Sequence, residues 1–352
     1  MNITFLIGNG FDLNLGLNTS YRAFIKSYLS DTTGDSDLIK RFKHDIETDL
    51  DTWANAELAL GKYTRNFTGE NPGEEYLICY RDFYQKLAEH IELEDKRVIT
   101  CNVLSLLEGF AFGLNHFTDG FRRLRTAHIQ EPISGSGIYT FNFIVFNYTR
   151  AADVCIEGLK AKPGYLQKRV LGSSTYQNKV GETIHVHGYF DRDMILGVND
   201  ESQLTTPEIF TDMSIYEYGQ LIKKDANDMF EEDVDSRTLD ILNKSHFIYI
   251  YGMSIGETDK LWWQRIGKLL CQNPKLQVII QCYDAPDDNR EHLSLLSYED
   301  KLRYRLCAFC EDLDIDILTA AERVHVTGYN IFAKLTNAVP DAEKATGDAS
   351  IA

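Results

Sequence analysis

No run of apolar residues approaches the roughly 18 consecutive positions that a membrane-spanning helix needs, so the chain is not expected to cross a bilayer. A basic segment followed by a cleavable apolar core is also missing: Ile3 to Ile7 enters directly into a strand-like run, and secretion is not expected. Cysteine is sparse and odd in number, seven in 352 residues, scattered at Cys79, Cys101, Cys155, Cys271, Cys282, Cys307 and Cys310. That argues against a disulfide framework and suits a reducing, cytoplasmic compartment. The single C-x-x-C, Cys307 with Cys310, has no second pair to complete a zinc ribbon, so no metal is expected there and two thiols on one helix face is the plainer reading. Positive charge is the minority, 36 Lys and Arg against 53 Asp and Glu, and a net charge of −17 repels a phosphate backbone. A nucleic-acid partner is therefore disfavoured. Arg122, Arg123 and Arg125 form a local basic cluster, read as a solvated helix face or a partner contact.

What is present is a globular composition. Apolar residues make up 43% of the chain, ample for a core, in a length that holds two domains or one large α/β domain with insertions. The stretch from Asn2 to Leu29 organises the rest. Ile3 to Ile7 is a short β-branched apolar run, read as a buried first strand of a parallel sheet. It feeds Gly8-Asn9-Gly10, whose missing side chains let backbone N–H groups close on an anion as a helix begins. Tyr21, Phe24, Ile25, Tyr28 and Leu29 repeat with helical spacing, and Thr19 or Ser20 is placed to cap the first turn. The third glycine falls at Gly16, later than the dinucleotide fingerprint requires, so a plain tight turn stays open beside a nucleotide loop.

From 36 to about 130 the pattern is helical, with stripes at Tyr76, Tyr80, Phe83, Leu87 and at Val103, Leu106, Leu107, Phe110. Trp53, Glu57 and Leu60 share one expected helix face, which leaves Glu57 either paired inside the fold or turned into a cavity. Ser134 to Gly137 reads as a hinge. Further strands are expected at Phe141 to Phe146, ending in Asn147-Tyr148-Thr149; at Thr183 to Gly188, whose alternation sends His185 and His187 to one face; at Met194 to Gly197; at Phe247 to Tyr251, ending at Gly252; at Leu276 to Cys282; and at Val324 to Val326. The two histidines lack the carboxylates or thiolates that would complete a metal site. Ser254 and Glu257 form an S-x-x-E pattern expected to cap the helix holding Asp259, Leu261, Trp262 and Ile266. Trp262 and Trp263, being consecutive, are not expected to face one core together, which makes one of them a candidate interface residue. The organisation expected is an α/β, Rossmann-like parallel sheet from residues 1–30 and 137–335, a helical insertion over 31–136 lying on the nucleotide cleft, and a tail over 336–352.

Leu6 to Leu13 with Gly16 to Tyr21 resembles the opening of the AbiH bacteriophage abortive-infection proteins. Trp53 with Glu57, Phe146 to Thr149, His185 to Gly188, Ile195 to Gly197, and Tyr251 to Ser254 with Asp259 are similar in content and order. More distantly the series resembles the sirtuin-like fold of anti-phage effectors. That resemblance implies NAD as the substrate. It matches Gly8, Asn9 and Gly10 to the pyrophosphate loop, Asn147 and His187 to the catalytic pair, and Gly252 with Ser254 to the adenine-ribose turn. Asp259 and Glu57 join the candidate nucleotide contacts, and Asp12 is a candidate for stabilising cationic charge or binding ribose. Thr149 stands where that group carries aspartate, and the paired zinc motifs of protein deacylases are missing. Asn147 as a strand-end cap, His187 as a core histidine and Asp12 as a turn residue remain alternatives. The implied activity is cleavage of the nicotinamide–ribosyl bond in abortive infection, with a homo-oligomer or a sensor subunit as expected partner. The competing reading is a non-catalytic nucleotide-binding regulatory subunit of a defence complex.

Overall fold

A computed structural model describes residues 1–121, 129, 138–229, 233–282, 300, 302–311 and 320–340. The basic cluster at Arg122, Arg123 and Arg125, the hinge at Ser134 to Gly137 and, of the tail expected over 336–352, residues 341–352 lie outside the described residues; within 336–340, Asn337 N–H donates to Asn14 O at 2.8 Å and Val339 N–H to Leu15 O at 2.9 Å. Contacts divide the chain into two compact units: Met1–Leu17, Arg97–Val186 and Val234–Ala352 form the first, Asn18–Lys96 and His187–Asp233 the second. The helical stretch over 31–136 is thus shared between the units, its residues up to Lys96 in one and Arg97 onward in the other.

The first unit is built on a sheet of six parallel strands: β1 (Asn2–Ile7), β2 (Thr140–Val145), β5 (Lys179–His185), β6 (Phe247–Tyr251), β7 (Gln277–Gln281) and β8 (Val324–Thr327). The order is β5-β2-β1-β6-β7-β8. Counted along the chain this is third, second, first, fourth, fifth, sixth, the doubly wound arrangement whose order reverses between β1 and β6. Ile7 lies level with Val145 on one side and Tyr251 on the other, and Val145 with His185, so these strands end on one line. Phe5, Phe143 and Tyr249 face one helical layer, with α7 (Val103–Asn115), α8 (Ala151–Ala161) and the segment around Phe332. Leu6, Ile144 and Ile250 face the other, with α11 (Val234–Asn243) and α12 (Lys260–Gln272). Strands covered on both faces read as continuous apolar runs, which is why β1, β2 and β6 were visible in the sequence. A separate antiparallel hairpin, β3 (Lys168–Leu171) and β4 (Ser174–Gln177), precedes β5.

Trp262 and Trp263 are both buried in this unit, against the expectation that one would face outward. Trp263 donates its indole N–H to the Gly256 carbonyl at 2.9 Å, and Trp262 packs edge-on against Phe146 with Arg265 over its ring. Consecutive helical positions differ by about 100°, and an apolar stripe can be that wide, so both indoles fit on it. The Ser254 cap does not form either. The α-helix begins only at Lys260, after a short 3₁₀ turn whose preceding residue is Gly256; a capping box does form at Ser214 with Glu217.

The second unit is helical: α2 (Tyr21–Ser30), α3 (Asp37–Thr48), α4 (Leu50–Trp53), α5 (Ala56–Tyr63), the greater part of α6 (Pro72–Ile99), α9 (Ile215–Gly219) and α10 (Lys223–Met229). Ser20 caps α2, accepting from the Ala23 N–H. α4 ends at Trp53 with Ala54 after it, and Asn55 caps α5, accepting from the Leu58 N–H, so Trp53 and Glu57 belong to different helices and not to one face. Phe24, Phe42, Trp53 and Phe83 form its aromatic centre. Met194 to Gly197 is not a strand. Its carbonyls are met by side chains: Tyr80 Oη donates to Leu196 O at 2.7 Å and Tyr84 Oη to Met194 O at 2.9 Å.

Two buried tyrosines therefore predict opposite outcomes. Tyr80→Phe strands a buried carbonyl and is expected to destabilise by about 1–3 kcal/mol. Tyr249 Oη is buried with no hydrogen-bond partner among the described residues, so Tyr249→Phe is expected to leave stability unchanged or raise it. Urea unfolding of the two variants checks the contrast, and a Tyr249→Phe loss as large as that of Tyr80→Phe would contradict it.

Candidate functional site

β1 ends at Ile7, and the next residues meet the end of β6 backbone to backbone. Gly8 N–H donates to Tyr251 O at 2.9 Å and Gly10 N–H to Gly252 O at 2.8 Å. A Cβ on Gly10 would lie 2.5 Å from Gly252 Cα, and one on Gly8 would lie 2.4 Å from Met253 Cγ. Gly252 itself has φ +66°. Glycine is required here by the close approach of two loops at the point where strand order reverses. The N–H groups of Gly8 and Gly10, expected to close on an anion, are taken by those carbonyls.

A short helix absent from the sequence reading, α1 (Gly10–Leu15), follows at once and stops at Gly16 with φ +93°. Gly16 is thus a helix terminator. Phe11 points into the core, edge-on to Phe110 and Phe332. Asn14 ties the helix to the segment that follows β8, donating to Phe332 O and accepting from Asn330 and Thr336.

Asp12, one position past Phe11, is 1% exposed. Its carboxylate accepts from Asn147 Nδ2 at 2.7 Å and from Thr149 Oγ1 at 2.8 Å. Asn147 and Thr149 come from the segment that leaves β2, both buried, at 4% and 0% exposure. Thr149 Oγ1 also accepts from the Ala151 N–H at 3.4 Å, at the start of α8. Asn147 Oδ1 is buried and has no hydrogen-bond partner among the described residues. The structure thus brings together Asp12 and Asn147, and separately Gly8 and Gly10 with Gly252. Thr149, noted in the sequence only as a departure from a motif, turns out to be the second donor to Asp12.

The other candidates stand elsewhere. Ser254 is exposed and Asp259 half-buried ahead of α12. His187 and Glu57 belong to the second unit. His187 is buried, its main-chain carbonyl accepts from Ile195 N–H at 2.9 Å, and Gly188 after it turns the chain with φ +65°. Glu57 is paired: its carboxylate lies 2.9 Å from Lys223 Nζ, each side chain 8% exposed, and accepts from Tyr21 Oη at 3.1 Å. Nothing in the sequence singled out Lys223, one of two adjacent lysines. His185 stays in the first unit, its Nε2 3.0 Å from Asp153 Oδ1 on α8. Among the described residues no group of three or more His, Cys, Asp or Glu is placed to hold a metal. Burial pushes the Cys310 thiol up to about 11, and the neighbouring Cys307 and Cys271 add to the shift.

A family model for bacteriophage abortive infection AbiH matches residues 4–280, a span that contains every residue named above as a candidate. The chain belongs to the AbiH family. Its role is accordingly in abortive infection, as an anti-phage protein. Comparison with curated proteins returned no match. Within this AbiH chain, no single helix among the described residues is long and apolar enough to cross a membrane.

Proposed function

We propose that this AbiH chain is the effector of an abortive-infection response and hydrolyses the nicotinamide–ribosyl bond of NAD. The observation that carries this reading is Asn147, a buried carboxamide whose Oδ1 has no hydrogen-bond partner among the described residues, held just past the C-terminal end of β2 beside the point where a doubly wound parallel sheet reverses its order. Open parallel sheets collect nucleotides on that side. In the reaction the C1′–N bond breaks with its electron pair leaving on neutral nicotinamide, and water supplies the new C1′–O bond. The water's proton goes to a base, the role that the resemblance to sirtuin-like effectors gives to His187. The transition state resembles an oxocarbenium ion, so a fixed water or ribose hydroxyl and nearby negative charge are what the protein must provide. A toxic hydrolase has to stay inactive until infection, which calls for a sensor subunit or a change of assembly.

A second reading is favoured by one observation. With the Gly8 and Gly10 amides taken by Tyr251 and Gly252, those two groups offer an anion nothing. A chain that keeps the fold and acts as a non-catalytic regulatory or interaction subunit of a defence complex fits that geometry. Purified protein incubated with NAD, with and without phage lysate or the product of a neighbouring gene, separates the two. Release of nicotinamide is the expected result; binding of NAD without release under every condition supports the regulatory reading.

A further inference from the structure

We infer that Asp12 and Thr149 are positioning residues that lock the Asn147 carboxamide with its oxygen as the remaining acceptor, so that the group that pairs with it is a hydrogen-bond donor, a water or a ribose hydroxyl, and not a phosphate oxygen. This deepens the NAD reading and rests on it for which hydroxyl is bound.

The direction of the amide follows from what each partner can do. An ionised carboxylate only accepts, so the Asn147 atom 2.7 Å from Asp12 Oδ1 is the NH₂. The Thr149 hydroxyl accepts from the Ala151 N–H, which only donates, and so turns its own proton to Asp12 Oδ2 at 2.8 Å. Asp12 is thereby held from both oxygens by residues 147 and 149 of one strand exit, and cannot swing away without losing both. The Asn147 amide cannot flip without setting its oxygen against a carboxylate. What remains is Asn147 Oδ1, inside a side chain 4% exposed and without a partner among the described residues. A buried acceptor with no donor is unfavourable, and a ligand hydroxyl removes that penalty.

The test uses full-length protein labelled with ¹⁵N at asparagine, with the Asn147 side-chain NH₂ pair assigned by its loss in Asn147→Leu. In the wild type this pair is expected to be shifted downfield and slow to exchange with solvent. Thr149→Val, close in shape and without the donor, should move it towards free-amide values and speed exchange about tenfold; Thr149→Ser should restore both. An unmoved pair in a folded Thr149→Val protein overturns the clamp whether or not the chain cleaves NAD. If the wild type releases no nicotinamide, the NAD reading fails while these signals still decide the clamp. Where nicotinamide is released, Thr149→Val should lower kcat about 10- to 100-fold with KM changed less than about threefold, and Thr149→Ser should recover most of it. An equal loss in Thr149→Ser would mean a packing role instead and overturn the inference. ADP-ribose should shift the Asn147 pair, and inorganic phosphate at the same concentration should not. ADP-ribose without effect, or phosphate with one, overturns the donor assignment.

Discussion

Asn147→Ala is expected to cut nicotinamide release from NAD by a factor on the order of 10²–10⁴, with the unfolding midpoint little changed. The magnitude is what misplacing a reacting water or ribose costs when the group that fixes it is removed. His187→Ala should lose a similar factor, on the order of 10²–10⁴, if it takes the proton. Steady-state rates for the two proteins decide this: an unaffected rate in Asn147→Ala would remove the carboxamide from the reaction, and an unaffected rate in His187→Ala would remove the imidazole. His185 makes a poor control despite its place two residues before His187. Its Nε2 is committed to Asp153 in the first unit, so its loss would be read as instability.

The parallel sheet was legible in the sequence for a reason that the site was not. A strand covered on both faces must be apolar throughout, and Phe141 to Val145 and Phe247 to Tyr251 announce themselves by that alone. Sheet order has no such mark, since parallel neighbours are not joined by a turn that pairs them. Short signals misled where local chemistry had a rival. Ser254 and Glu257 have the spacing of a cap, yet Gly256 lies between them and the helix starts later. Trp53 and Glu57 have the spacing of one helix face, yet Asn55 between them is a better cap than an interior residue. Met194 to Gly197 looks like a strand because it is apolar, but the tyrosines of α6 satisfy its carbonyls. In the site, Asp12 and Asn147 were each singled out by a neighbouring motif. Their hydrogen bond joins positions 135 residues apart, which no local pattern encodes.

Glu57 was left open between a paired carboxylate and a cavity-lining one, and the pairing with Lys223 leads to the largest stability effect expected of this chain. Both side chains are 8% exposed at a separation of 2.9 Å. Two charges taken out of water lose several kcal/mol of hydration each, which their attraction and the Tyr21 hydroxyl offset only while all are in place. Lys223→Met is therefore expected to destabilise by about 3–5 kcal/mol, because it leaves a carboxylate buried without its cation. Glu57→Gln combined with Lys223→Met removes both charges and should recover most of that loss, whereas two independent contacts would give a double variant worse than either single one. Urea unfolding of the wild type, the two single variants and the double variant completes the cycle. A loss below about 1 kcal/mol in Lys223→Met, the range of a solvated surface pair, would show that the pair contributes nothing beyond its hydration.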